Sequence, residues 1–317
     1  MRSVRVGVIG VGFWGRNHAR IFSQMPNTIL AAICDKDPQR AKIIADQFNT
    51  EWYTNDQKLL ERENIEAVTI CTPTTTHYDV SISAVNAGKH VLIEKPIADT
   101  VERARGILKA AEKNSVYVMT GFIERFNPGT QRVKKLIDDG RLGNIVLAVS
   151  RRVGKWPERV GDVGVVKDSA IHDIDIMRCL FNENPITVYA RVGRLAHKFE
   201  DYAQIILGFK NNHTAFVEAN WLTPHKIREL TVTGSKAMAT VNYITQKIVI
   251  EDAEKQVIPT YSWQEPLTLE LKHFAESIIK NEQPQVTGSD GLKALEIAEA
   301  TLKSAKTGKI VKLKSRK

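Results

Sequence analysis

Gly10-Val11-Gly12-Phe13-Trp14-Gly15 follows the apolar run Val4 to Ile9, and Asp35 closes a second apolar run at about 20 residues' distance, the spacing at which a ribose-binding acid is expected. A glycine triplet alone is weak; with a strand before it, a helix after it and an acid at that distance, it predicts a dinucleotide-binding turn. Gly10 permits the tight turn, Gly12 lets the backbone approach a pyrophosphate, and Gly15 lets helix and strand pack closely. The helix start carrying Phe13 and Trp14 offers free N–H groups and positive potential to the phosphates. Asp35 would take the ribose hydroxyls and repel a 2′-phosphate, so NAD is preferred over NADP, with Lys36 and Arg40 close enough to temper the preference.

Five short runs punctuate the first third of the chain: Val4 to Ile9, Ile29 to Cys34, Ala67 to Cys71, His90 to Ile93 and Val116 to Met119. They do not alternate, which predicts strands buried on both faces of a parallel sheet. Helix signals lie between them. Asp37-Pro38 reads as a cap with proline at the first helical position, Asp99 with Glu102 as a capping box, and Gly88 and Asn114 as stops. The prediction is a doubly wound α/β domain over residues 1–122.

After Phe122 the pattern changes. A helix from Asn127 to Asp139, a strand from Ile145 to Val149, a basic loop and a helix from Asp168 to Phe181 precede partly alternating runs: Tyr189 to Arg194, Ala203 to Phe209, Thr214 to Asn220, Ile227 to Thr233 and Ala239 to Tyr243. These predict an open, mostly antiparallel sheet with one exposed face, making residues 123–317 a second α/β domain for substrate binding and oligomer contacts. Helices Leu267 to Lys280 and Ser289 to Ser304 close it and can pack back on the first domain.

The 317 residues suit two domains of about 150 residues. With 43% hydrophobic and 26% charged residues the chain is neither collagen-like nor disordered. Cys34, Cys71 and Cys179 are odd in number and lack a C-x-x-C, which supports neither a disulfide framework nor a cysteine zinc site and places the chain in a reducing cytoplasm. The N-terminal apolar run is too short for a membrane span and lacks a cleavage site, so neither a signal peptide nor a membrane partner is expected. The net charge of +9 favours anionic ligands, yet no nucleic-acid motif accompanies it.

Cys71-Thr72-Pro73-Thr74 and Glu94-Lys95-Pro96 end two of the expected strands, at the sheet edge where α/β folds bind ligands. Lys95 is there either a surface lysine before a turn or a partly desolvated amine able to polarise an alkoxide. His77 either lines the cofactor cleft or caps its helix. Downstream, Asp168, His172 and Asp175 fall at i, i+4 and i+7 of one helix, a face on which His172 can take a proton and Asp168 can orient it. Asp168 as a plain cap beside a solvated His172, or a metal held by that face, are the competing readings; a metal would want further ligands that no other segment offers, and none is expected. Between Ser150 and Lys167, the residues Arg151, Arg152, Lys155, Arg159 and Lys167 surround Trp156. That stretch is either a solvated basic loop or a seat for a phosphorylated or nucleotide-bearing substrate.

Taken together these residues resemble the glucose-fructose oxidoreductase, inositol dehydrogenase and rhizopine-catabolism (Gfo/Idh/MocA) family. The likeness is carried by the glycine triplet, Thr72-Pro73 with His77, Glu94-Lys95-Pro96, Gly121 with Arg125-Phe126, Asp168/His172/Asp175 and the terminal run through Thr287-Gly288 and Ser304. It implies a Rossmann domain, an open-sheet second domain, bound NAD or NADP, a homo-oligomer (dimer or tetramer), and an NAD(P)-dependent dehydrogenase oxidising a sugar CH–OH to a ketone. Lys95 and His172 become the proton-handling pair with Asp168 in support, Glu94 joins the cofactor-binding residues, and Arg125, Arg151, Trp156 and Asp175 become substrate-binding candidates. Gly154 to Asp175 looks closest to members that oxidise the 3-hydroxyl of UDP-N-acetylglucosamine, which is the first expectation. A dehydrogenase of free polyols or sugars such as inositol, and a non-catalytic NAD-binding regulator, are the alternatives.

Overall fold

A computed structural model describes residues 2–157 and 161–313. Within it the chain divides into two compact units, Met1–Phe122 with Leu267–Leu292 and Ile123–Pro266 with Lys293–Lys317. Arg159 lies outside the described residues.

The first unit alternates strands and helices: β1 (Val4–Ile9), α1 (Gly15–Gln24), β2 (Thr28–Cys34), α2 (Pro38–Phe48), β3 (Glu51–Tyr53), α3 (Asp56–Leu60), β4 (Ala67–Ile70), α4 (His77–Asn86), β5 (His90–Glu94), α5 (Val101–Lys113) and β6 (Val118–Gly121). The six strands are parallel in the order β3-β2-β1-β4-β5-β6. Every residue of β4 and the centre of β5 are buried, as their unbroken apolar runs require of strands covered on both faces. The order reverses direction at β1, so the turns after β1 and β4 flank the position where such sheets bind ligands.

Local chemistry explains most of these boundaries. The Asp37 carboxylate accepts from the amides of Gln39 and Arg40 at 3.0 and 3.1 Å, with Pro38 as the first helical residue of α2. The expected capping box of Asp99 with Glu102 is displaced by one residue. Thr100 is the cap, its hydroxyl accepting from the Arg103 amide at 3.3 Å, while Asp99 holds the Arg103 side chain at 2.8 Å. The sixth strand starts at Val118, not Val116; three residues before it Ser115 turns through a positive φ of 54°.

The second unit contains α6 (Pro128–Asp138), β7 (Ile145–Lys155), α7 (Ile171–Phe181), β8 (Thr187–Gly193), β9 (Tyr202–Gly208), β10 (Thr214–Asn220), β11 (Leu222–Gly234), β12 (Met238–Asn242), β13 (Ile248–Glu251) and β14 (Gln256–Val257). Helices α8 (Pro266–Lys280) and α9 (Gly288–Thr307) and strand β15 (Val311–Lys312) follow. The sheet runs β14-β13-β12-β11-β7-β10-β9-β8-β15, antiparallel except for the pair β7 and β10. Ala215, Val217 and Ala219 are fully buried at alternate positions of β10, while Ile206 on neighbouring β9 is exposed, the two-faced pattern expected of such a sheet.

Two expectations are corrected here. The strand expected to end at Val149 continues to Lys155, so Arg151, Arg152 and Lys155 are strand residues rather than loop residues. Asp168 does not open a regular α-helix: Val166–Ala170 form one wide π-helical turn, and α7 starts at Ile171. The extra residue in that turn shifts the phase, so i, i+4, i+7 spacing no longer fixes a common face. Leu267–Leu292, which carries the first of the two closing helices, groups with the first unit. Its tether is visible in a bridge from Met119 to Thr287 and in the Tyr117 hydroxyl donating to Asn281 Oδ1 at 3.0 Å. Among the described residues no helix is long and apolar enough to cross a membrane.

Candidate active site

The turn after β1 is built by exclusion. Gly10 has φ +85°, and a Cβ there would lie 2.9 Å from the Cys71 carbonyl. A Cβ on Gly15 would meet the Gly10 oxygen at 1.7 Å, so α1 can seat itself on the turn only with glycine at its first residue. At Gly12 a Cβ would meet nothing within 4 Å: the middle of the loop faces open space. The start of α1 has no side-chain cap and no acid in its first turn, leaving its positive end available to an anion. Phe13, about half exposed, and Trp14 stand edge to face at 5.6 Å beside it. These residues fit a dinucleotide.

Asp35 ends up at the loop, buried to 8% exposure. Its Oδ2 accepts from the Val11 amide at 2.9 Å and its Oδ1 from the Asp37 amide at 3.0 Å. Arg40 Nη1 lies 3.3 Å from Asp35 Oδ1, and its Nη2 pairs with Asp37 at 3.2 Å. The basic group expected to accommodate a 2′-phosphate is thus engaged by two carboxylates.

The turns after β4 and β5 are tied together by His77. Its Nδ1 lies 2.8 Å from the Pro96 carbonyl oxygen and its Nε2 2.9 Å from that of Thr72, at 1% exposure. His77 therefore neither caps α4 through its ring nor presents that ring to solvent. It clamps Thr72-Pro73 to Lys95-Pro96, whose peptide bond is cis. The Thr76 hydroxyl donates to the Pro73 carbonyl at 2.7 Å and also lies 2.9 Å from Thr72 Oγ1. Lys95 is nearly buried, which removes the plain surface-lysine reading. Behind it, Glu94 Oε2 accepts from the Lys95 amide at 3.3 Å and Glu94 Oε1 lies 3.2 Å from His18 Nε2. Burial works to raise the Glu94 carboxyl; the His18 hydrogen bond and the charges of His18, Lys95 and His77 outweigh it and hold the group below the ordinary carboxylate range.

In the second unit Asp168 and His172 are both nearly buried. The Ser169 hydroxyl donates to Asp168 Oδ2 at 3.0 Å and accepts from Trp221 Nε1 at 3.1 Å, so a tryptophan orients the carboxylate through a serine. Trp156 does not stand as an open platform: it stacks on His197 at 4.0 Å and meets Trp221 edge-on at 4.8 Å. His197 sits on a turn whose amides, from Leu195 to His197, all point at fully buried Asp201. Burial tends to raise that carboxyl, but the three amides and the His197 ring prevail and keep it low.

Arg125 and Asp175 hold each other. Arg125 Nε and Nη2 donate to the two oxygens of fully buried Asp175 at 2.6 and 2.8 Å, and Arg178 adds a third bond at 3.1 Å. This pins α7 to the segment before α6, and the two residues expected to bind substrate hold each other. Arg151 and Arg152, one residue apart, have opposite fates. Arg151 points outward, lies between Glu218 and Glu229 in strand register, and pairs with Glu218 at 2.9 Å. Arg152 points inward and donates to Asp173 at 2.5 Å and Glu124 at 3.0 Å. The Tyr243 hydroxyl donates to Asp173 at 3.3 Å, and Asn127 Nδ2 donates to Glu124 at 3.0 Å. Burial disfavours the Arg152 charge, but Asp173 and Glu124 more than restore it. Its cross-strand neighbour Arg228 is pulled down to about 10 by burial and by the Arg152 charge.

His18, Ser169, Trp221 and the Arg152 network were absent from the sequence reading. His18 alone carried a local signal: with Gly15, Ala19 and Phe22 it falls on the buried stripe of α1, where a ring nitrogen needs a partner. Among the described residues no group of three or more His, Cys, Asp or Glu is arranged to hold a metal ion.

A parallel sheet with a glycine turn of this shape defines a dinucleotide-binding domain, and comparison with known proteins makes it that of an oxidoreductase family. Residues 4–122 match the oxidoreductase family with an NAD-binding Rossmann fold, and residues 130–240 match the GFO/IDH/MocA C-terminal domain. The chain is similar to an inositol 2-dehydrogenase of Rhizobium meliloti, 32% identical with 95% of this chain and 97% of the relative covered. It is also similar to a scyllo-inositol 2-dehydrogenase (NAD(+)) of Bacillus subtilis, 30% identical over 98% and 96% of the two chains. A solved UDP-N-acetylglucosamine 3-dehydrogenase from Acidithiobacillus ferrooxidans is 25% identical and superposes with a TM-score of 0.89, covering 97% of this chain and 99% of that one. The chain belongs to the GFO/IDH/MocA family and is an NAD(P)-dependent dehydrogenase acting on a CH–OH group.

Proposed function

We propose that the protein oxidises a secondary hydroxyl of a free cyclic polyol, of the inositol kind, to a ketone. The observation that carries this choice over a sugar nucleotide is the state of the basic stretch. Arg151 is engaged by Glu218, Arg152 by Asp173 and Glu124, and Lys167 lies 3.7 Å from Glu299. A diphosphate would have to compete with these carboxylates, and Arg152, the one buried guanidinium among them, leaves its pair at a cost of about 3–5 kcal/mol. The inositol dehydrogenases among the relatives support the same choice, and replace the expectation of UDP-N-acetylglucosamine.

NAD rather than NADP fits Asp35, whose carboxylate faces the position a 2′-phosphate would take, and Arg40, which is already paired. The glycine turn and the start of α1 would hold the pyrophosphate, and bound NAD⁺ supplies the acceptor for the hydride leaving the carbinol carbon. His172 takes the hydroxyl proton, with Asp168 stabilising its charged form through a carboxylate that Ser169 and Trp221 hold in place. Lys95, donating to the carbinol oxygen, stabilises negative charge as the proton departs. A reducing cytoplasm and a homo-oligomer, dimer or tetramer, belong to the same proposal; the first accords with three cysteines of which none forms a disulfide.

His172→Ala and Lys95→Ala should each lower kcat by about 10²-fold or more while calorimetric NAD⁺ affinity stays within about threefold. Turnover preserved in both variants would remove this mechanism.

A further inference from the structure

His18 and Glu94 are buried ionisable groups that the mechanism above does not use. His18 is fully buried on α1, on the helical stripe that starts at Gly15. Its Nε2 meets Glu94 at 3.2 Å, while its Nδ1 is buried with no hydrogen-bond partner among the described residues. Every ring form with a proton on Nε2 donates it to Glu94. Glu94 in turn receives the Lys95 amide. Gly121 leaves no slack on the far side, since a Cβ there would sit 3.3 Å from the Glu94 side chain. A continuous line thus runs from the glycine turn, through the jammed contact of Gly15 with Gly10, along one turn of α1 to His18, and across Glu94 to Lys95.

We propose that His18 is a positioning residue for Lys95, acting through Glu94, so that the helix binding the dinucleotide phosphates also sets where the lysine stands. This rests on the role given to Lys95 above. The hydrogen bond from His18 occupies one carboxylate oxygen and orients the other toward the Lys95 backbone. Without it, the carboxylate is released to reorient and to take the ammonium of the adjacent Lys95 as its donor, withdrawing that group from the substrate oxygen.

The test compares His18→Leu, His18→Gln and Lys95→Met with the parent protein, using myo-inositol and NAD⁺ for turnover, calorimetry for NAD⁺ affinity, and acetylation of Lys95 relative to exposed Lys58, read by peptide mass. Leucine at 18 should lower kcat about tenfold or more with KM for the polyol changed less than about threefold, and slow Lys95 acetylation about threefold or more as the amine is held by Glu94. Glutamine, whose Nε2 can still donate to Glu94, should restore both to within about threefold of the parent. Lys95 acetylation at the parental rate in the leucine variant overturns the positioning role, and this readout holds whatever the substrate proves to be. Leucine and glutamine variants equally impaired also overturn it, since any loss would then reflect packing alone. Full turnover by Lys95→Met would instead sink the catalytic reading of Lys95, a different failure from a silent His18→Leu beside an inactive Lys95→Met.

Discussion

The glycine turn of the first unit and the charged centre of the second both carry buried polarity, but they achieve it over different spans of chain. Gly10 to Gly15 with Asp35 forms a site mostly from the first few dozen residues, held by the close approach of Gly15 to Gly10, by the Asp35 carboxylate on the Val11 amide and by the Cys71 carbonyl beneath Gly10. The second unit's centre draws Glu124, Asn127, Arg152, Asp173, Arg228 and Tyr243 from five separate segments into one set of hydrogen bonds and charge pairs. The first is specified by local steric necessity. The second is specified by compensation, in which each buried charge is tolerable only while the others are present.

That contrast predicts its own ranking of effects. Arg152→Ala strips Asp173 and Glu124 of their cation and should cost about 3–5 kcal/mol of unfolding free energy, the largest loss of any single change named here, read by urea denaturation. A loss below about 1 kcal/mol would mean the network is solvated after all. Gly15→Ala drives a methyl into the Gly10 carbonyl and should cost about 1–3 kcal/mol. NAD⁺ affinity should fall with it, because α1 must back away from the turn; stability lost with affinity intact would break the link between the packing of α1 and phosphate binding. Arg151→Ala, one residue from Arg152 on the same strand, should change stability by less than about 0.5 kcal/mol, since an exposed pair with Glu218 is worth little. A larger effect would erase the distinction between the two faces of β7.

The same contrast explains what was legible in the sequence. Asp37-Pro38, the glycine triplet and the strand runs of the first unit are short-range patterns, and apart from the one-residue shift of the α5 cap from Asp99 to Thr100 and the later start of β6 they match the structure closely. The short strand β3 has only three residues, two of them exposed, too few for the pair Trp52-Tyr53 to stand out as a run. In the second unit the alternation of β7 is concealed by arginines on both faces, one solvated and one neutralised inside, so the strand read as a loop and its charges as a substrate seat. The π-turn at Val166–Ala170 is equally silent, because one extra residue in a turn leaves no periodic trace. Arg125 and Asp175 were named in two separate motifs as substrate-binding candidates; that they pair with each other is carried by the bidentate geometry and by nothing in their spacing.

The account turns on substrate class, and initial rates with NAD⁺ on myo-inositol and on UDP-N-acetylglucosamine test it most directly, following the absorbance of the reduced nicotinamide and the mass of the product. The prediction is a keto-inositol, with kcat/KM for the polyol exceeding that for the sugar nucleotide by about tenfold or more. A 3-keto sugar nucleotide formed at the higher kcat/KM would contradict it.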